Sequence, residues 1–274
     1  MSRLHETFAR TRAEGRAAFV SFLVAGDPDL VTSEELIVAL ADGGSDVIEL
    51  GVPFSDPIAD GPVNQRAAQR ALQAGASLDR ILELARRVKA RVDVPLVLFT
   101  YFNPIHARGV ERFARSAGAA GLDGVLCVDL PPEEGGDLRQ ALQARGVDNV
   151  LLLAPTSTGE RIRLAGQASS GFVYYVSRAG VTGEQSALAT DLEAEVRRVR
   201  RRVGLPVAVG FGISTAAQVA VVGGWADGVV VGSALVSTVE QQLGQVDRQQ
   251  LVAALRDKVR ELSAPLRGER KERR

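Results

Sequence analysis

A chain of 274 residues, 46% of them hydrophobic, is long enough and apolar enough to bury a large core, which excludes an intrinsically disordered protein. Its 33 basic and 33 acidic side chains cancel, so no overall field points to nucleic acid or to an anionic membrane. The first residues lack the apolar core of a signal peptide, and no apolar run approaches the ~20 residues of a membrane span, so the expectation is a soluble cytoplasmic protein.

An amphipathic stretch at 4–14 opens the chain. Short β-branched runs then follow at 18–24, 46–50, 95–101, 124–128, 149–154, 172–176, 206–210 and 228–231. Most are apolar at nearly every position, as expected for strands of a parallel sheet covered on both faces. Helical patterns alternate with them at 33–42, 78–91, 110–117, 137–144, 158–168, 188–202 and 215–222, one more begins at Ser233, and a last one runs over 248–262. Eight strands alternating with helices, in a length near the roughly 250 residues of one such domain, predict a single (β/α)8 barrel over 1–274 with an extra N-terminal helix. An open doubly wound sheet is the second choice. The lone cysteine, Cys127, lies in one of the apolar runs and reads as a small buried hydrophobe. The basic end, 267–274, reads as a frayed, solvated tail.

In a barrel of this kind chemistry gathers at the C-terminal ends of the strands. The second strand ends there in Glu49, and the segment Gly51-Val-Pro53-Phe-Ser-Asp56-Pro57-Ile-Ala-Asp60-Gly-Pro62 follows. A carboxylate at the end of a buried strand is costly unless it is paired or used. Three prolines hold the loop that delivers the second carboxylate, Asp60, in few conformations. Glu49 is then either a general acid–base with a pKa raised by burial or a structural carboxylate paired with an arginine or with backbone amides. Asp60 precedes a glycine, and Asp-Gly is also an ordinary turn pair. Of the neighbours Tyr174 and Tyr175, strand alternation lets only one point into the barrel mouth. His5 and His106 lack partners and read as surface residues, and no cluster has metal-ligand spacing, so no metal is expected.

Gly210-Phe211-Gly212-Ile-Ser214 follows the seventh strand and Gly232-Ser233 the eighth. Glycines there let backbone amides approach a ligand, and the helix opening at Ser233 adds its unpaired N–H groups. Loops after these two strands are a recurrent phosphate site. Gly183 is a third candidate donor, and no lysine lies nearby in sequence, so backbone amides are expected to carry the binding.

With these residues in hand, the chain resembles the tryptophan synthase α-subunit family. The resemblance rests on the segment from Glu49 to Pro62. It is supported by Phe22 with Gly26-Asp-Pro28, Tyr101 with Asn103-Pro104, Asp129-Leu-Pro131, Ser177-Arg-Ala-Gly180-Val-Thr182-Gly183, the Gly210–Ser214 turn, and Val231-Gly-Ser-Ala234. It runs from about 19 to 234. The resemblance implies a lyase that cleaves indole-3-glycerol phosphate to indole and glyceraldehyde 3-phosphate. It casts Glu49 as the acid–base, Asp60 as the carboxylate on the indole N–H, and Tyr174 as the active-site tyrosine, with Tyr175 facing the helices. Phe22 and Tyr101 would help line the indole pocket. Gly183, Phe211, Gly212, Gly232 and Ser233 would hold the phosphate, and Thr182 would position Asp60 when the loop hinged at Gly180 and Gly183 closes. It further implies a β subunit in an α2β2 complex, touching Pro53, Asp56, Pro57, Asn103, Pro104, Asp129 and Pro131. The pyridoxal phosphate would belong to that partner, with no cofactor in this chain. A stand-alone lyase that releases free indole, a non-catalytic activating subunit and another phosphate-binding barrel are the competing readings.

Overall fold

In the computed structural model residues 1–177, 185–210 and 212–268 are described, the side chains of 185–191 excepted. Thr182, Gly183 and Phe211, the hinge glycine Gly180 and the tail beyond 268 lie outside the described residues. Eight parallel strands pair in chain order, β1 Ala18–Val24, β2 Val47–Gly51, β3 Leu96–Thr100, β4 Gly124–Cys127, β5 Asp148–Leu153, β6 Val173–Val176, β7 Val207–Gly210 and β8 Gly228–Val231. β8 pairs back onto β1, with Val20 opposite Val230, so the sheet is a closed barrel rather than an open wound sheet.

Alternate residues fill the interior, with Val20, Val47, Val97, Leu126, Val150, Tyr174, Ala208 and Val230 each contributed by a different strand. The intervening residues, Phe19, Ile48, Leu98, Val125, Leu151, Tyr175, Val209 and Val229, pack outward under the helices. Both sets are apolar, which is why the strands carry no alternating signal in the sequence.

The helices are α1 Arg3–Ala13, α2 Leu30–Gly43, α3 Pro62–Gln73, α4 Leu78–Lys89, α5 Phe102–Arg108, α6 Val110–Ala119, α7 Gly136–Gln143, α8 Gly159–Ala168, α9 Gln185–Val203, α10 Ala216–Gly223, α11 Ser233–Gln242 and α12 Arg248–Arg267. The sequence reading misses two of them, α3 and α5. Only alanines, Ala67, Ala68 and Ala71, are buried on α3, so its apolar face is too slight to register as a stripe. Its start was nonetheless marked, because Gly61-Pro62 places proline at the first helical position. α5 spans seven residues, and only Ile105 is buried on it.

α1 plugs the N-terminal end of the barrel. Leu4 and Phe8 reach the interior cluster, and the Phe8 ring lies 5.2 Å from that of Phe172. Around this plug three aspartates stand just ahead of strands. Asp46, Asp123 and Asp227 accept the amide N–H of Phe19, Leu96 and Val207 at 2.9, 2.8 and 3.0 Å. α1 sends one arginine to each, Arg10 to Asp46, Arg3 to Asp123 and Arg12 to Asp227. Arg16 adds a two-pronged bond to Asp46 at 2.6 and 2.8 Å. Burial raises the Asp46 carboxyl, but the bonds from Arg16 and the Phe19 amide outweigh it and hold the group below its ordinary value.

Candidate active site

At the opposite end the barrel opens into a cavity of about 520 Å³. Its wall is apolar, formed by Phe22, Phe99, Val128, Leu152, Val176 and Val230. Phe22 and Phe99 meet edge to face, their centroids 5.3 Å apart at 74°. Into this wall protrude Glu49, Asp60, Asn64 and Tyr174, and along one side lie Gly212, Gly232 and Ser233. Among the described residues the lining holds two carboxylates and no lysine or arginine.

Glu49 stands level with Phe22 on β1 and Val97 on β3, one residue pair above Val47, so its side chain enters the barrel interior. It is 0% exposed, and neither carboxylate oxygen has a hydrogen-bond partner among the described residues. Burial alone pushes its pKa up to about 8. Burial disfavours the charged form, and no described residue donates to it, so the protonated carboxyl is favoured at neutral pH and carries a proton it can give away. Among the described residues no arginine pairs with Glu49.

Asp60 sits at the end of the rigid loop, just before the first turn of α3. The Tyr101 hydroxyl accepts the Ala59 N–H at 3.0 Å and donates to Asp60 at 2.8 Å. Burial raises Asp60 above its ordinary value, and the bonds from Tyr101 and the Asn64 side chain oppose that rise. Tyr101 therefore stands behind Asp60. It lines a small neighbouring void with Phe22, Phe54 and Phe99, not the main cavity as the sequence reading expected. It is the first residue past β3 and the N-cap of α5.

Tyr174 faces inward and is buried, whereas Tyr175 is 0% exposed under the outer helices. A side chain on Gly210 would collide with the Tyr174 hydroxyl, so the glycine ending β7 makes room for the tyrosine from β6. Gly212 has φ 74°, a left-handed conformation that favours glycine. Gly232 is the N-cap of α11, so the free amides of its first turn open onto the cavity wall beside Gly212.

The expected partner-facing residues surround one edge of this mouth. Asp56 and Asn103 are exposed, Pro57, Pro104 and Pro131 are half-buried, and Asp129 is exposed, whereas Pro53 is buried beneath the loop. Asp129 accepts the Phe102 N–H at 2.7 Å, which ties the start of α5 to the end of β4. Ile58 projects from the same loop at 89% exposure. The sequence reading did not single out Asn64, Phe99, Val128, Leu152, Val176 or Val230. Period-two counting from Glu49 and Tyr174 reaches Leu152, Val176 and Val230, because their register partners share the inward face.

A family model described as tryptophan synthase alpha chain matches residues 8–266. Among curated relatives, the tryptophan synthase alpha chain of Geobacter sulfurreducens is 49% identical over 263 residues, covering 94% of this chain and 99% of the relative. That of Citrifermentans bemidjiense is 51% identical over 262 residues, covering 94% and 98%. Among solved structures, tryptophan synthase subunit alpha of Legionella pneumophila superposes with a TM-score of 0.89 at 34% identity, covering 97% of this chain and 98% of that one. A chain of Mycobacterium tuberculosis tryptophan synthase gives 0.86 at 38%, covering 98% and 99%.

Proposed function

The chain belongs to the tryptophan synthase alpha chain family, and from that membership we propose how its mouth divides the work of the reaction. The chain is a carbon–carbon lyase that cleaves indole-3-glycerol phosphate to indole and glyceraldehyde 3-phosphate. The observation that carries the residue assignment is the neutral, unpaired Glu49 at the base of an apolar cavity.

Cleavage needs indole carbon 3 to become a leaving group and the side-chain hydroxyl to become an aldehyde. Glu49 gives its proton to carbon 3, which breaks the ring's aromaticity and places positive charge on the indole nitrogen. Asp60 holds that N–H and stabilises the charge as it develops, which is where fixed electrostatics are most effective. The Glu49 carboxylate, now charged within an apolar wall, takes the hydroxyl proton. The O–H electron pair becomes the carbonyl bond, the carbon–carbon pair returns to the ring, and Glu49 is again protonated. The apolar wall from Phe22 to Val230 fits a flat aromatic ring. The phosphate lies on the amides around Gly212, Gly232 and Ser233, where a helix N-terminus favours an anion without a cationic side chain. Tyr174 packs beside Glu49 and closes the cavity floor.

The reading extends to a β subunit. The loop from 53 to 58, the start of α5 and the residues after β4 form one continuous edge of the mouth, where indole would leave. Pyridoxal phosphate would belong to that partner, in an α2β2 complex in the cytoplasm. Among the described residues no helix is long and apolar enough to cross a membrane. Indole release from indole-3-glycerol phosphate, measured with the chain alone and with β subunit added, tests the reading. Release that is slow alone and rises with partner supports it. Release that is fast alone and unmoved by partner would remove the complex, and no release under either condition would remove the residue assignment.

A further inference from the structure

Away from the cavity, buried charge joins three elements at one point. Asp27, in the turn after β1, has a side chain only 4% exposed. Arg70 on α3 grips it with two bonds, Nε to Oδ1 at 2.8 Å and Nη2 to Oδ2 at 2.9 Å. The third nitrogen of the same guanidinium donates to Glu240 on α11 at 2.8 Å. Arg66, one turn earlier on α3, adds a fork to Glu240 at 2.8 and 2.7 Å. An exposed ion pair contributes little, but a planar fork seated on a buried carboxylate has a fixed direction. The third arm of that fork fixes where α11 lies against α3.

Both helices start at the cavity. α3 follows Asp60 and Gly61 directly, and α11 opens at Ser233 after Gly232. At 1.5 Å per residue, Arg70 lies about 12 Å and Glu240 about 10 Å from those starts. The tie therefore crosses the two helices at matching depth. It spans the elements that bring the acid and the amide turn to the wall of one cavity.

We propose that Arg70 is a positioning residue, a strut locked by Asp27 that sets the span between Asp60 and the amide turn at Ser233. The inference rests on the functional reading above and names what holds its two subsites apart. A substrate with its ring and its phosphate joined by a short carbon chain has one length. It engages both ends only when the span matches, and misplacement by about 1 Å costs on the order of 10²-fold in rate. Each end taken alone is indifferent to the span.

The test compares the joined substrate with its separated parts on the full chain. Glu240→Gln cuts the tie to α11 while the buried Asp27–Arg70 pair stays intact, so it is the variant expected to fold. Arg70→Met removes the strut, and Arg70→Lys keeps the charge without the fork. Glu34→Gln, which breaks the Arg87–Glu34 pair between α2 and α4 away from the cavity, is the control. Expected is a loss in kcat/KM for indole-3-glycerol phosphate of roughly 10-fold in Glu240→Gln and roughly 10²-fold in Arg70→Met, with Arg70→Lys between them. Indole and glycerol 3-phosphate, each titrated by itself, should keep wild-type affinity in all variants, and the control should match the wild type throughout. Wild-type kcat/KM in Glu240→Gln and Arg70→Met, with only the melting temperature lowered, would overturn the strut. So would affinities for the separated parts that fall in step with kcat/KM, because the subsites themselves would then be damaged. A wild-type chain that does not cleave the substrate would overturn the underlying reading instead, and is distinguishable because the reference itself is inactive.

Discussion

Asp46 and Glu49 are carboxylates three residues apart, one just ahead of β2 and one at its centre facing the cavity, and both are buried. Their pKa values move in opposite directions. Asp46, at the plugged end, accepts bonds from Arg10, Arg16 and a backbone amide and is held ionised. Glu49, at the open end, accepts none from the described residues and is pushed up to about 8. Burial is common to both, so the donors around each group decide the sign. One end of the barrel uses charge to hold strands in place, whereas the other leaves a carboxyl unpaired and therefore reactive. The linkage to stability follows the same split. A depressed pKa, as at Asp46, contributes stability above the unfolded value that is lost as pH falls through the folded one. The raised pKa of Glu49 does the reverse, so folding against its charge costs progressively more as pH rises from about 4.5 toward about 8.

The sharpest break of this contrast is a pair of substitutions on β2. Glu49→Gln should lower turnover by about 10³-fold or more, because the shape is kept and the proton is lost. The same change should raise stability at neutral pH by on the order of 2–3 kcal/mol, a gain that shrinks on acidification, read by urea unfolding at two pH values. Asp46→Ala should do the opposite and cost about 3–5 kcal/mol by leaving the Phe19 amide without its acceptor and Arg16 with Glu14 as its remaining carboxylate, while the kcat/KM of the folded fraction stays at wild type. A stability loss in Glu49→Gln, or an activity loss in Asp46→Ala that exceeds its unfolded fraction, would blur the two ends into one. Gly212→Val should raise KM by roughly 10-fold, since a β-branched residue is strained at that φ and would block the amide approach. Unchanged affinity for inorganic phosphate would remove the anion turn from the site. The smallest effect is expected of Tyr101→Phe. Loss of the donor to Asp60 leaves burial less opposed, so the acid limb of the kcat/KM profile should move to higher pH by less than about one unit. An unmoved limb would detach Tyr101 from Asp60.

Much of the open end was legible in the sequence, and little of the plugged end was. Glu49 stands out because it interrupts an apolar strand, and Asp60 because prolines frame its loop. The glycine turns stand out because they follow two strands at the required places. Asp46, Asp123 and Asp227 gave no such signal. Each reads as an ordinary turn acid, and its role depends on an arginine or an amide far away in the chain, such as Arg12 for Asp227. The cavity wall stayed hidden for a different reason. With both faces of every strand apolar, no contrast marks which residues point inward. α3, with Asn64 and Arg70, was hidden by its alanine face, and with it the link between the acid loop and α11.

The central claim is that Glu49 is neutral at the working pH because it is buried and no described residue donates to it. Difference infrared titration of the carboxyl stretch, assigned by subtracting the Glu49→Gln spectrum, reads that state directly. The expected result is a protonated carboxyl at neutral pH that ionises with a midpoint near about 8. A midpoint near the ordinary glutamate value of about 4.3 would contradict the account, because Glu49 would then be ionised and unable to supply the first proton.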